Sequence, residues 1–301
     1  MSTYLLDTNC FYAVSKNTSK QQKLRSMESN VTTSGLAVLE IARISRKPGD
    51  FEKRKMAMKA LYFINPLIHQ KTPDDIVARA FGQPEPQIET IDYNSIIRTL
   101  LLAKSYVNLI DGVVDPLYRR IYKINPDVLH EWKRSVSSYF TNAVVFGNKK
   151  MIEMLVTYLG EKYGILNQKE KRLLSKHLTA MSSQHEKAFS FTLAGLSVRA
   201  GLHTEEQLNH ALLSNTIEDL VESAKCKYDG SLDSYVKMYL SFQKYLSPGR
   251  TPEKNALFDL EFFLHLDAHG APYTFVTTEL LWLELGKSAL PGRVKALEDI
   301  I

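Results

Sequence analysis

Four carboxylates stand out in this 301-residue chain because of the apolar company each keeps. Asp7 closes the short apolar run of "TYLLDTNCFY". Glu40 lies within "GLAVLEIARI", with Val38, Leu39, Ile41 and Ala42 around it. Asp259 lies within "NALFDLEFFLHLDAHGA", and Glu279 follows the strand-like run "YTFVTT". Singly, each has a plain structural use: an acid after a strand caps a helix, and an acid on a helix faces water. Together they point to different chemistry. Carboxylates gathered in a half-buried crevice repel one another and require a cation. Oxygen-only ligands select hard ions, so Mg²⁺ or Mn²⁺ is the expected cofactor and zinc is not.

Other reactive patterns are absent from the sequence. His265 and His269 are four residues apart and His185 adjoins Glu186, yet no HExxH occurs. Cys10 and Cys226 form no CxxC pair, which speaks against a disulfide framework or thiolate zinc site and for a reducing cytoplasm. There is no Gly-rich phosphate loop, no GxSxG elbow and no Cys–His nucleophile pattern. The composition, 44% hydrophobic and 24% charged, is that of a folded globular chain. No apolar run reaches the roughly 18 residues a membrane span needs. The first apolar run is broken by Asp7 and lacks a preceding basic region, so a signal peptide is not expected.

The net charge of +5 is unevenly spread: +5 over residues 1–85, +4 over 86–250 and −4 over 251–301. A basic body beside an acidic end suits a protein that holds a polyanion through metal ions. The basic candidates after Glu40 are Arg43, Arg46, Lys47, Lys53 and Arg54. A solvated helix face, with Asp50 and Glu52 interleaved, is the alternative use of the same residues. Arg119 and Arg120 are flanked by Tyr118 and Tyr122, and aromatics beside arginines can stack on unpaired bases.

These residues need elements to position them. Residues 3–6 read as a buried strand, Val31 to Thr33 as a strand edge, and Ser34 as a helix N-cap. Residues 15–30 read as a polar stretch. "DFEKRKMAMKALYFI" reads as an amphipathic helix after the Pro48-Gly49 break, "NPLIHQ" as a strand and "TPDDIVARAFG" as a capped helix. Beyond the linker-like "QPEPQ", residues 93–245 follow helical periodicity almost throughout, without a fixed repeat. After "LSPGRTPEKN" come a helix from Glu253 to about His269, the strand "YTFVTT", the helix "ELLWLELGKS" and a short closing element. Strand–helix alternation at both ends and helices between them predict an α/β fold, with a parallel sheet flanked by helices. Residues 1–85 and 251–301 would form a discontinuous core, and 86–250 an all-helical insertion.

The chain resembles the PIN-domain nucleases. "LLDTNCF" matches that family's opening strand and Asp-Thr-Asn motif, "TTSGLAVLEIARI" its second strand and acid-bearing helix. "NALFDLEFFLHLDAHGAPYTFVTTELLW" is similar to its third-acid helix and following strand. The resemblance covers residues 1–80 and 251–301. It implies a metal-dependent phosphodiesterase, foremost an endoribonuclease and in some settings a toxin or defence effector, with Mg²⁺ or Mn²⁺ held by Asp7, Glu40, Asp259 and Glu279. Glu279 departs from the family's Thr-x-Asp by one methylene. Thr8, Asn9 and Thr277 would support the acids. RNA is the implied partner ahead of DNA. The insertion, which matches nothing in the family, could bind a second copy or a regulatory protein. The rival expectation is a catalytically decayed PIN-like scaffold that binds RNA or protein through the insertion.

Overall fold

Leu5 and Leu6 are fully buried in a four-residue strand, so the chain enters its core almost at once. The computed structural model describes residues 3–43, 49–85, 91–105, 149–162, 167–246, 256–270 and 272–301. In order they form β1 (Thr3–Leu6), α1 (Thr8–Val14), α2 (Thr18–Ser26), β2 (Val31–Ser34), α3 (Gly35–Ala42), α4 (Asp50–Ile64), β3 (Leu67–His69), α5 (Pro73–Ala80) and α6 (Tyr93–Leu102). There follow α7 (Lys149–Lys162), α8 (Gln168–Ser182), α9 (Ala188–Arg199), α10 (Glu205–Ser214), α11 (Ile217–Lys227) and α12 (Asp233–Leu246). The chain closes with α13 (Ala256–Phe262), β4 (Tyr273–Thr277), α14 (Leu280–Ala289) and β5 (Val294–Ala296). Among the described residues, no helix is long and apolar enough to cross a membrane.

The five strands make one all-parallel sheet in the order β3-β2-β1-β4-β5. The α/β class expected from the sequence is therefore present, with helices between parallel strands. From β1 the chain builds outward to β2 and β3 on one side, and later to β4 and β5 on the other. That reversal puts a topological switch point between β1 and β4, where open α/β sheets form their ligand crevice beyond the carboxyl ends. Phe275 of β4 packs on Phe263 with centroids 4.4 Å apart, and Phe263 on Trp282 at 5.4 Å, forming the core under this half of the sheet.

Two local expectations differ from what forms. Val31–Ser34 is an interior strand rather than a strand edge. Its threonines look solvent-facing in sequence, but Thr32 Oγ1 donates to the Tyr4 carbonyl at 3.2 Å and Thr33 Oγ1 to that of Leu6 at 2.9 Å. The polar stretch at 15–30 contains α2, capped by Asn17 on the Lys20 N–H and burying only Leu24. A helix with one buried residue leaves no periodic signal.

The chain divides into two compact units. The sheet unit comprises residues 1–73, 87–124 and 258–301, and the helical unit residues 74–86 and 125–257. These limits differ from the 1–85, 86–250 and 251–301 partition. In the helical unit, α5 is tied by Arg199 Nε to Asp74 Oδ1 at 2.9 Å and by the Asp229 N–H to the Ala80 carbonyl at 3.0 Å. In the sheet unit, α6 packs on α3 and α4. Gly35 permits this, because a Cβ there would collide with the Tyr93 ring. The helical unit's core joins Leu155, Leu159, Leu174, Leu178, Phe191 and Leu208.

Candidate acidic site at the carboxyl edge

Asp7 leaves β1 at its carboxyl end and opens α1, and it serves there as the N-cap. Its Oδ1 accepts the Cys10 N–H at 2.9 Å. The plain use of an acid after a strand is thus real, and it occupies one oxygen only. Oδ2 accepts the hydroxyl of Thr277, the last residue of β4, at 2.5 Å. Thr8 and Asn9 reach in other directions. Thr8 Oγ1 donates to Glu40 Oε2 at 2.6 Å, and Asn9 Nδ2 to Glu279 Oε1 at 2.5 Å. Three consecutive residues therefore tie α1 to two segments, α3 through Glu40 and the β4–α14 junction through Thr277 and Glu279. Asn9, whose role in the sequence reads as local, spans 270 residues.

Glu40 is the one half-buried residue of α3, whose other seven are all buried. Its backbone carbonyl accepts Arg54 Nη1 at 2.5 Å, and Arg54 Nε pairs with Asp50 at 2.7 Å. Glu279 occupies the N-cap position of α14 but makes no side-chain cap. Its backbone N–H instead donates to Thr277 Oγ1 at 3.0 Å, which orders that hydroxyl toward Asp7. Asp259 is 8% exposed and faces the Trp282 indole N–H at 3.5 Å.

Burial and like charge decide the electrostatics. Asp259 is pushed up to about 9, first by burial and then by the carboxylates of Glu279, Glu40 and Asp7. Asp7 is pushed up to about 6, again mainly by burial, against the hydrogen bonds from Thr277 and Cys10 that favour its charged form. Asp259 thus lies within electrostatic reach of the other three acids, and Asp7 within reach of Glu279. Held this way they carry more negative charge than the crevice tolerates at neutral pH, and protons or a cation must offset it.

As a metal site the cluster fits in chemistry: its donors are carboxylate oxygens, with neither thiolate nor imidazole among them. Among the described residues, however, no group of three His, Cys, Asp or Glu side chains is placed to hold a metal ion. Of the basic candidates, Arg43 is half-buried at the end of α3, Lys53 is exposed, and Arg54 is engaged as above. Arg46, Lys47, Arg119 and Arg120 lie outside the described residues.

Trp282 is not marked by the sequence patterns above, and Arg54, a basic candidate there, serves a different end. Trp282 is fully buried, and a buried indole N–H needs an acceptor. Its place three residues after Glu279 was the available signal. Arg54 braces the Glu40 backbone across fourteen residues, and no pattern in the sequence marks it for that task. No family model matches the chain, and neither do any of the curated proteins or solved structures compared with it.

Proposed function

We propose that the protein is a metal-dependent nuclease that hydrolyses phosphodiester bonds, with RNA as the favoured substrate. The observation that carries this is the meeting of Asp7, Glu40, Asp259 and Glu279, from four separated segments, at the carboxyl end of the β1/β4 switch point. Asp259, raised by burial and by the three neighbouring acids, is where a bound cation would take the place of a proton. The resemblance to PIN-domain nucleases in the same residues supports the class of reaction and the preference for RNA.

Asp7, Glu40, Asp259 and Glu279 would hold Mg²⁺ or Mn²⁺ after side-chain rotation, with Asp259 giving up its proton on binding. A bound divalent ion supplies the positive charge that acidifies a water and offsets charge growing on phosphate oxygens. The chain's own residues do the rest. Thr8, Asn9 and Thr277 orient three of the carboxylates, so little ordering remains at the moment of reaction. Glu40 and Glu279 are half-buried where Asp7 and Asp259 are buried, so water would reach the cluster past them. Lys53 and Arg43 contribute to phosphate neutralisation, which makes affinity fall with salt.

The test is incubation of the full chain with mixed RNA and DNA in Mg²⁺ or Mn²⁺, beside Asp7→Asn. Ion-dependent cleavage of RNA that Asp7→Asn abolishes is the expected result. Cleavage unchanged in Asp7→Asn would remove the assignment of the site. RNA binding without cleavage by the wild type would identify a decayed scaffold.

A further inference from the structure

Away from the acids, His69 and the pair His265 and His269 form a pile within the sheet unit, the first two buried and the third half-buried. His69 ends β3, His265 closes the turn after α13, and His269 lies in the loop that leads to β4. The His69 and His269 rings are face to face, with centroids 3.9 Å apart and planes 11° from parallel. His265 lies 5.6 Å from His269 and 5.9 Å from His69, nearly parallel to both. Tyr273, the first residue of β4, completes the pile at 5.3 Å from His69. A polar chain runs beside the rings: Ser34 Oγ to His265 Nε2 at 2.9 Å, and His265 Nδ1 to His269 Nε2 at 3.3 Å.

We propose that this stack is an acid-released latch, which fixes His265, His269 and Tyr273 against the β3 edge while its imidazoles are neutral and lets go when one is protonated. The hydrogen-bond directions support this. Ser34 Oγ accepts the Leu36 N–H at 3.2 Å, so its proton is directed to His265 Nε2. His265 can then donate from Nδ1 to His269 Nε2, an arrangement that needs His265 neutral. A proton on Nε2 would abolish the acceptor that Ser34 uses. His69 Nε2 is buried without a hydrogen-bond partner, so a charge on that ring has nothing to solvate it.

The titratable groups facing the stack are its own three imidazoles and the Tyr273 phenol. The nearby charged residues Asp267 and Arg293 are paired with each other at 2.7 Å, and Arg293 also donates to the carbonyls of Leu266 and Tyr273. Burial and the neighbouring imidazole hold His69 down to about 4, and burial with both neighbours holds His265 well below its ordinary value. Groups lowered in the folded state contribute stability above the free-histidine value, and that contribution is lost as pH falls from about 6.5 toward 4. Asp7 and Asp259, both raised, act in the opposite direction. The latched segment joins α13, which bears Asp259, to β4, which bears Thr277, so release would loosen two elements of the acidic site.

The test uses the full chain, with imidazole and amide resonances followed from pH 8 to pH 4.5, and unfolding equilibria of wild type and His69→Phe at pH 7.5 and 5. Phe keeps the stacking face and forfeits no hydrogen bond made by Nε2. His69 and His265 should protonate only well below the ordinary histidine range, and the amides of 67–69, 265–270 and 273 should lose protection in the step that protonates them. Between the two pH values the wild-type unfolding constant should rise on the order of 10-fold more than that of His69→Phe. A stack histidine titrating near 6.5 with those amides unchanged would overturn the latch, and so would equal pH dependence in the two proteins. So would Zn²⁺ raising the wild-type melting midpoint but not the variant's, since the histidines would then be ligands. Should His69→Phe fail to fold, the wild-type resonances decide alone.

Discussion

The two units use their polar side chains in opposite ways. In the helical unit the caps serve local ends, and a longer-range contact such as Arg199 to Asp74, over 125 residues, is a part-exposed ion pair. Asn167 and Glu170 form a reciprocal capping box on α8, and Thr204 and Gln207 another on α10, each spanning three residues of sequence. What joins those helices is apolar, built from Leu174, Leu178, Phe191 and their neighbours. In the sheet unit the buried polar contacts span the chain: Thr277 to Asp7 over 270 residues, Ser34 to His265 over 231, Thr8 to Glu40 over 32. Local caps end elements and satisfy backbone groups. Long-range polar contacts among buried acids neither end a helix nor fill a core, and their use is to hold charge in one place. The difference sets a long-range buried polar network in the sheet unit against apolar helix packing in the helical unit.

The comparison can be broken most sharply at Asp259. Asp259→Asn should reduce ion-dependent cleavage at least 100-fold while raising stability at pH 7, because folding there no longer has to hold a proton on a raised, buried carboxyl. Cleavage rates and urea midpoints on one preparation check both halves. The helical unit should answer in the reverse sense. Leu178→Ala should cost about 2–5 kcal/mol of stability, read by urea unfolding, and leave the Mg²⁺ dependence of the folded fraction alone.

A pH scan sharpens the contrast further. Asp259 is raised in the folded state, so its contribution is fully present at acid pH and is lost as pH rises from about 4 through 9. Asp259→Asn should flatten that slope, and saturating Mg²⁺ should flatten it in the wild type. Smaller effects follow at the braces. Thr8→Val should slow cleavage by roughly 10-fold for a stability cost of about 1 kcal/mol, one net hydrogen bond. Thr204→Ala should cost about 1 kcal/mol through its cap and leave cleavage unchanged. Equal loss of cleavage in those last two variants would erase the distinction between the units.

Much of this was legible before any coordinates. The alternation of strands and helices at both ends announced an α/β fold, since period 2 and period 3.6 are written in the order of residues. Ser34 as a cap, the break at Gly49 and the short β3 were visible through local chemistry that acts over three or four positions. α2 was hidden because a helix that buries one leucine has no stripe. The placement of α6 was hidden because it depends on the missing Cβ of Gly35 meeting Tyr93, fifty-eight residues away.

The same boundary runs through the site. By itself the sequence determined which residues could hold a hard cation and that each stood in an apolar setting, because residue type and neighbours are local properties. Only the tertiary structure decided that Asp7 both caps a helix and pairs with Thr277, and that Asn9 reaches Glu279 instead of its own turn. It alone brought Trp282 to Asp259 and stacked His69 on His269. Sheet order produces these meetings. Placing β4 beside β1 brings residues 270 positions apart into contact, and no period or spacing along the chain encodes that adjacency.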